Sequence, residues 1–341
     1  MISHGSDFIQ EPIDVVYTWV ESIAPELLAV LGRYQQGLTE DDSAGSRRFR
    51  DNGELKYSLR SLERYAPWIR NIFIVHAGNP PSWLNASIPN LYTIRHEDIF
   101  PDPSVLPIFN SYAIELNLHR IHGLSRHFLY LNDDFFLARD TPKEWFYNLS
   151  GLPRFFFEPN PIPLRGSHTA NDKACAYTLQ FIPWRGSHKS PAAVPSRTGW
   201  RKFLGIPPYR YMTAHVPQLY DRDIIMGLEA RFSSEFKATR SHRFRSPDDI
   251  ALRILYAYSG LAHGKLEAVR LDWNSPDFLF ASVVDDVTRT QKILKRLEDN
   301  PPRFLCANDD VISDDCDSPA LLYWRELMDK YWPQPSRFER S

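Results

Sequence analysis

Short apolar runs, rich in β-branched and aromatic residues, alternate along the chain with longer amphipathic segments. This alternation is typical of an α/β domain with a largely parallel sheet. The predicted strands are the runs at residues 13–20, 71–78, 92–99, 127–133, 154–159 and 303–309. Because these runs are almost continuously apolar, we expect both faces of the sheet to be covered.

The amphipathic segments predict helices that pack on the sheet. Residues 52–66 place Leu55, Leu59 and Leu62 on one helical face, with charged residues opposite. A helical repeat of apolar residues also spans 109–123, where Gly123 can end the helix. Another helix is expected to start at Ser246, as the N-cap before a proline and two acidic residues. Two more helices are predicted over 288–300 and 318–332.

Residues 160–212 depart from this rhythm, because proline, arginine, serine and glycine dominate them. A chain of 341 residues suits one large domain or two moderate ones. We predict a single domain, 1–341, in which 160–212 form a loop-rich lid or acceptor-site insertion. The frequent aromatic residues favour an ordered segment. Arg165 and Arg185 are its first candidates for contact with an acceptor.

Composition narrows the classes of partner. The 40 basic and 42 acidic residues nearly cancel, so the sequence does not predict a nucleic-acid-binding surface, and an anionic ligand must be held by local clusters. Three irregularly spaced cysteines fit neither a disulfide framework nor a thiolate zinc site, which indicates a reducing, cytoplasmic location. No segment approaches the roughly 20 apolar residues of a membrane helix. Peripheral attachment to the inner face of a membrane stays open.

Acidic residues follow two of the predicted strands. An Asn-Asp-Asp sequence occupies 132–134 after one strand, and the same sequence occupies 308–310 at the end of another. The carboxyl ends of parallel strands meet at one edge of a sheet, so these carboxylates are expected to converge there. Hard oxygen ligands of this kind suit Mg²⁺ or Mn²⁺ and leave coordination positions for substrate phosphates. The alternative is that each sequence only forms a turn or a helix cap.

A second cluster precedes the first long helix. It contains Arg47, Arg48, Arg50, Asp51, Asn52 and Glu54. Backbone N–H groups at a helix start, together with guanidinium groups, can form a phosphate-binding corner. An ordinary capped helix with solvated arginines explains the same pattern. The sequence has neither a P-loop nor a G-x-G-x-x-G motif, which disfavours the nucleotide folds that need them.

A third group contains His215 and, further along, Arg243 and Arg245. A histidine can remove the proton of an attacking hydroxyl at neutral pH. An arginine can stabilise negative charge on phosphoryl oxygens. A lone histidine can equally be structural, so the local sequence leaves both roles open.

Taken in order, residues 13–20, 48–137, 214–260 and 303–310 resemble the four conserved regions of the Stealth family. That family contains bacterial capsule hexose-1-phosphate transferases and polymerases, together with the lysosomal-enzyme N-acetylglucosamine-1-phosphotransferase. The resemblance runs from about residue 13 to about residue 339, and its second segment is long and specific. The long inserted modules of the lysosomal enzyme are not in this sequence, which favours a bacterial enzyme that acts on a glycan.

The resemblance implies an α/β fold similar to GT-A glycosyltransferases. It also implies transfer of a hexose- or N-acetylhexosamine-1-phosphate from a UDP-sugar to a glycan hydroxyl, releasing UMP, in capsule or exopolysaccharide synthesis. Two alternatives stay open: a metal-dependent glycosyltransferase that releases UDP, and a non-catalytic protein whose Trp184 and Trp200 stack on glycans.

The resemblance also implies roles for individual residues. His215 is the expected base, with Arg245 and Asp51 as further catalytic groups. Mg²⁺ or Mn²⁺ is expected on Asp133, Asp134 and Asp309. The donor is expected to contact Asp14, Thr18, Arg48, Asn52, Glu54 and Asn308. Family members often have a second histidine where this sequence has Gln218, so only His215 is left as the base.

Overall fold

The computed structural model describes residues 11–20, 50–163, 169–182, 210–313 and 315–340. Within these ranges the strands are β1 Ile13–Thr18, β2 Ile72–His76, β3 Leu91–Arg95, β4 His127–Asn132, β5 Phe135–Leu137, β6 Arg154–Pro161, β7 Tyr211–Thr213, β8 Gln218–Asp221, β9 Glu267–Arg270, β10 Phe278–Val283 and β11 Phe304–Asp309. The helices are α1 Glu54–Tyr65, α2 His96–Ile99, α3 Ser111–Glu115, α4 Ala170–Thr178, α5 Arg222–Arg231, α6 Ser233–Ser241, α7 Leu252–Ala262, α8 Val287–Asp299 and α9 Pro319–Tyr331.

The central sheet has the strand order β3-β2-β1-β4-β8. Strands β1 to β4 are parallel, and β8 pairs with β4 in the antiparallel sense. The chain first builds the sheet from β1 towards β3 and then places β4 on the other side of β1. Ligands of open α/β sheets bind at such a reversal, beyond the carboxyl ends of the strands. Here those ends carry Thr18 and Asn132, which are paired in the register of β1 and β4.

Both faces of the central sheet are buried, as the apolar runs predict. In β1, Val15 and Tyr17 contribute to one core and Val16 to the core on the other face. Leu55 and Leu59 of α1 pack in the same core as Val15. The predicted α/β class, with helices packed against a largely parallel sheet, is therefore confirmed.

Two smaller sheets extend this frame. One has the order β10-β11-β5, and the other has the order β7-β6-β9. Only Asp133 and Asp134 separate β4 from β5, and the N–H of Ala307 in β11 donates to the carbonyl of Asp134 at 3.1 Å. The ends of β4 and β11 therefore meet, which brings 132–134 and 308–310 to the same place.

Gln218 connects the central sheet to the third sheet. Its side-chain amide donates to the carbonyl of Phe156 at 2.9 Å, and its carbonyl accepts the N–H of Phe156 at 3.0 Å. The side chain is buried. Gln218 therefore makes backbone-like hydrogen bonds to β6.

Several predicted boundaries are wrong. The helix expected over 109–123 is limited to α3 and a single 3₁₀ turn, because the side-chain amide of Asn117 takes the carbonyl of Ala113 that a continuing helix would use. The strand expected to run to residue 99 ends at Arg95, where α2 begins. The segment 160–212 was predicted to be loop-rich from its composition, but it contains α4 and the start of β7.

The helix expected to begin at Ser246 begins instead at Leu252. The fully buried carboxylate of Asp249 accepts the backbone N–H of Ser246 at 2.7 Å and the amide of Asn110 at 2.8 Å. It also pairs with Nδ1 of His242 at 2.7 Å. The acidic residue is therefore used to close a turn and to anchor it, and it does not cap the helix.

None of the helices in the described ranges combines the length and the apolar character needed to cross a membrane.

Candidate active site

A cavity of about 750 Å³ lies at the carboxyl ends of β1, β4 and β11, where the strand order reverses. The residues singled out from the sequence that line it are Thr18, Arg50, Glu54, Asn132, Asp133, Asp134, His215, Arg245, Asn308, Asp309 and Asp310. The two acidic sequences, the predicted base and a predicted arginine therefore share one cavity. This convergence was the central structural expectation of the sequence.

Asp133 and Asp134 form a crowded acidic wall. Burial, then the charge of Asp134 and then that of Glu54, raise the pKa of Asp133 well above its usual range. Burial also raises the pKa of Asp134, although nearby His215 lowers it in part. Oδ2 of Asp134 accepts a hydrogen bond from Sγ of Cys306 at 3.4 Å, whereas its Oδ1 is buried with no hydrogen-bond partner. A bound cation would reduce the repulsion between the carboxylates and would give Oδ1 of Asp134 a partner.

In the part of the chain that is described, no group of three or more His, Cys, Asp or Glu side chains is arranged to hold a metal ion. Mg²⁺ is commonly bound by one or two carboxylates together with substrate phosphates and waters. The Asp133 and Asp134 pair fits that mode of binding, in which the protein supplies only part of the coordination shell.

The turn before α1 organises the second predicted cluster. Gly53 has a φ of 87°, in the left-handed region that favours glycine. Its N–H donates to Asp51 at 2.7 Å, and the amide of Asn52 donates to Glu54 at 2.8 Å and to Asp309 at 3.2 Å. Burial, and then the charge of Asp51, raise the pKa of Glu54. Asp51 therefore closes this turn, and Asn52 holds it against Asp309 of β11. Neither residue lines the cavity.

Asp309 has its carboxylate oxygens occupied. It pairs with Nη1 of Arg50 at 3.2 Å and accepts the N–H of Val311 at 3.0 Å, in addition to the amide of Asn52. Arg50 is anchored further by the carbonyl of Ser313 at 2.6 Å. This arrangement makes Asp309 part of the frame, and the geometry does not favour it as a metal ligand. Arg47 and Arg48 lie outside the described residues, as do Arg165, Arg185, Trp184 and Trp200.

His215 follows β7 and is held from three sides. Its Nδ1 lies 3.2 Å from Oε2 of Glu158, and the rings of Phe135 and Phe280 approach it edge-on at centroid distances of 6.5 and 5.3 Å. The buried carboxylate of Glu158 favours the tautomer with the proton on Nδ1. Nε2 is then the nitrogen that can accept a proton. Sequence reasoning missed Glu158, although an acid that ends the apolar run of β6 was a visible signal.

Arg245 and Arg253 line the cavity in addition to Arg50. Arg245 donates to Oγ of Ser111 at 2.7 Å and lies over the ring of Tyr112. Arg253, on α7, donates to Oδ1 of Asn171 at 2.6 Å. Sequence reasoning missed Arg253. Arg253 could have been noticed as a single basic residue in an otherwise apolar helical segment, because a buried charge needs a partner or a ligand.

Asp14 does not reach the cavity. It is completely buried near the start of β1 and pairs with Arg70 at 2.6 Å, while the backbone N–H of Ser125 donates to it at 2.7 Å. Four residues of extended chain separate it from Thr18, or about 13 Å along the strand. The prediction that Asp14 contacts the donor is therefore wrong, because it lies at the opposite edge of the sheet.

We expect Asp14→Ala to lower the free energy of unfolding by about 3 kcal/mol, because it leaves buried N–H groups and an arginine without their partner. Urea denaturation measures the change. Arg95→Ala is the matched control, since Arg95 and Glu97 form an exposed pair that contributes about 1 kcal/mol or less. Weakened nucleotide binding with unchanged stability would contradict the structural role.

The fold and the site define an α/β protein with a polar cavity, lined by acidic and basic side chains, at the reversal point of its sheet. Two family models match: Stealth protein CR2, conserved region 2, over residues 48–155, and Stealth protein CR3, conserved region 3, over residues 214–258. The chain belongs to the Stealth family. The first of these regions contains Asp133 and Asp134, and the second contains His215 and Arg245. The placement of β1 and β11 in further conserved regions stays a prediction.

The curated relatives carry related names. An exopolysaccharide phosphotransferase of Streptomyces coelicolor is 32% identical over 335 residues, covering 97% of this chain and 52% of the relative. A second from the same organism is 35% identical, covering 98% and 53%. An exopolysaccharide phosphotransferase of Mycobacterium tuberculosis is 34% identical, covering 77% and 46%. The chain thus spans about half the length of the curated relatives it matches.

Among solved structures, the galactosyltransferase LgtC in complex with donor and acceptor sugar analogs aligns with a TM-score of 0.42 and 12% identity. The alignment covers 93% of this chain and 96% of LgtC. This similarity is too distant to support an inference about the chemistry of the site.

Proposed function

We propose that this chain transfers a hexose- or N-acetylhexosamine-1-phosphate from a UDP-sugar to a hydroxyl of an acceptor glycan. The products are a phosphodiester and UMP. The observation that carries the proposal is the sharing of one cavity by His215, Arg245, Arg253 and the Asp133 and Asp134 pair. Glu158 contacts His215 from outside that cavity. The names of the relatives support a place in capsule or exopolysaccharide synthesis.

In the proposed reaction the acceptor oxygen attacks the β-phosphorus of the donor. A new P–O bond forms while the bond from that phosphorus to the bridging oxygen of UMP breaks. The hydroxyl proton passes to Nε2 of His215, and the carboxylate of Glu158 stabilises the resulting imidazolium. The anomeric C–O bond is not touched, so the sugar keeps its anomeric configuration.

The arginines supply positive charge where phosphoryl transfer develops negative charge. Such reactions depend mainly on positioning and electrostatic stabilisation. The contacts of Arg245 with Ser111 and of Arg253 with Asn171 fix both guanidinium groups before substrate binds. Fixed donors need no reorganisation during the reaction. Arg48 stays a predicted third contact with the donor.

We also propose that Mg²⁺ or Mn²⁺ binds to Asp133 and Asp134. The unpartnered Oδ1 of Asp134 and the raised pKa of Asp133 support a cation there. When bound, the metal would offset the charge of the diphosphate and of the departing UMP.

We expect UMP, and not UDP, to accumulate when the purified chain is incubated with Mg²⁺, a UDP-hexose or UDP-N-acetylhexosamine, and bacterial capsular glycans. Chromatography of the nucleotides distinguishes the two products. Accumulation of UDP would identify a glycosyltransferase that attacks the anomeric carbon. Saturable glycan binding without release of any nucleotide would identify a non-catalytic binding protein.

A further inference from the structure

A second cavity, of about 340 Å³, adjoins the large one. The two cavities share Asn171, Asp172, His215 and Arg253 as lining residues. His215 and Arg253 therefore stand at the boundary, with one compartment on each side. The large compartment reaches the ends of β1 and β4, whereas the small one is bounded by β6 and β7.

The small cavity contains a hydroxyl that lacks a partner. Thr213 lines this cavity, is 3% exposed, and has no hydrogen-bond partner for its Oγ1. Leaving a buried hydroxyl unbonded is unfavourable, and native structures rarely do so without a reason. A hydroxyl group of a ligand in the cavity would satisfy it.

The rest of the lining also suits a sugar. Asn160 presents an amide that is already oriented by a hydrogen bond of 3.1 Å to Glu158. Met212 and Pro161 contribute apolar surface for the C–H face of a ring. Two carboxylates, Glu158 and Asp172, line this cavity against the single arginine Arg253, which disfavours an anionic occupant. The volume lies at the lower end of the roughly 300–1,000 Å³ of small-molecule sites.

We propose that the small cavity is the acceptor compartment and that it holds one neutral sugar ring, with Thr213 bonded to a ring hydroxyl. This inference rests on the proposed function. With the UDP-sugar in the large cavity, the acceptor approaches the β-phosphorus from the side of β7 and UMP leaves towards β1. An in-line displacement needs this opposed arrangement. His215, on the boundary, is placed to take the proton of the attacking hydroxyl.

The test is Thr213→Val, which removes the hydroxyl and keeps the shape of the side chain. UMP release is measured with methyl glycosides of glucose, galactose, mannose and N-acetylglucosamine as acceptors, and with water alone. We expect the KM for the best glycoside to rise about tenfold, as the loss of one hydrogen bond predicts. The KM for the UDP-sugar and the release of UMP in water alone should stay within about twofold.

Thermal unfolding separates this role from a structural one. Thr213→Val should unfold at the same temperature as the wild type or higher, because an unpartnered buried hydroxyl is removed. The matched control is Thr290→Val, which lines neither cavity and whose hydroxyl is bonded to the backbone of Val284 at 3.0 Å. That variant should lose stability and keep the KM for the glycoside.

Two results would overturn the acceptor assignment. In the first, Thr213→Val releases UMP normally and its KM for the glycoside is unchanged. In the second, none of the four glycosides raises the rate of UMP release by the wild type above the rate in water alone. Either result leaves the proposed function intact. By contrast, a wild type that releases no UMP from any UDP-sugar would refute the proposed function itself.

Discussion

Replacing His215 with asparagine is expected to lower the kcat for UMP release by about 10²–10⁴-fold, the usual contribution of a general base. Asparagine can still donate to Glu158 from its amide, so the position of the loop after β7 should be retained. What it lacks is Nε2, the proton acceptor. The KM for the UDP-sugar should change by about twofold or less, because the lost interaction is made only in the transition state. Steady-state kinetics with a UDP-sugar and an acceptor glycan measures both constants.

His263→Asn is the control, since His263 is exposed at the end of α7 and bonds only the carbonyl of Ser259 in its own helix. It should leave kcat unchanged. Glu158→Gln should lower kcat by less than His215→Asn, because the imidazole keeps a hydrogen-bond partner but loses the charge that stabilises imidazolium. If His215→Asn keeps its rate within about threefold of the wild type, the proton is taken elsewhere.

The frame of this site was predictable from the sequence because local patterns determine it. Six strands were visible as apolar runs, and α1, α8 and α9 were visible as helical repeats. The meeting of 132–134 with 308–310 was expected from the rule that parallel strands present their carboxyl ends at one edge. In the structure it has another cause, because β11 lies in a separate sheet and pairs with β5, which follows β4 after only two residues. The placement of Asp14 was predictable by the same rule, since it stands at the amino end of its strand. The prediction that Asp14 contacts the donor came instead from the family resemblance, which covers the whole of residues 13–20.

The partners of the predicted residues were not predictable in the same way. Glu158 meets His215 because β6 pairs with β7 across a long insertion, and β7 has only three residues, too few to show a period. Arg253, which lines the cavity, is the second residue of α7, and that helix begins at Leu252 and not at Ser246. The later start of the helix depends on the contacts of Asp249 with Asn110 and His242. Asn110 lies far from Asp249 in the sequence, and neither partner belongs to the helix. Long-range contacts of this kind leave no periodic pattern in a single chain.

The acidic wall has the features of a site that trades stability for function. Asp133 and Asp134 are adjacent, largely removed from water and close to Glu54, so each negative charge opposes the others. In the absence of a cation, the ionised forms make the folded state less stable. Sites that need crowded charges for chemistry commonly carry such a cost.

We therefore expect Asp134→Asn to lower turnover by at least about 10²-fold, by analogy with the loss of a preorganised electrostatic group, without lowering the stability of the metal-free chain. The pKa of Asp134 is raised in the folded state, so ionisation favours the unfolded chain once the pH exceeds the ordinary carboxyl value of about 4. The stability of the variant relative to the wild type should accordingly increase as the pH rises from about 4 towards neutrality. Thermal unfolding in EDTA measures this difference.

Asp299→Asn, at an exposed position on α8 paired only with Lys295, is the matched control and should change neither property measurably. Titration with Mg²⁺ gives the decisive comparison, because the metal should raise the unfolding temperature of the wild type more than that of Asp134→Asn. A variant that keeps full turnover at limiting Mg²⁺ would show that Asp134 does not bind the metal. A variant that loses both turnover and metal-free stability would instead show that the carboxylate is structural, held by Cys306.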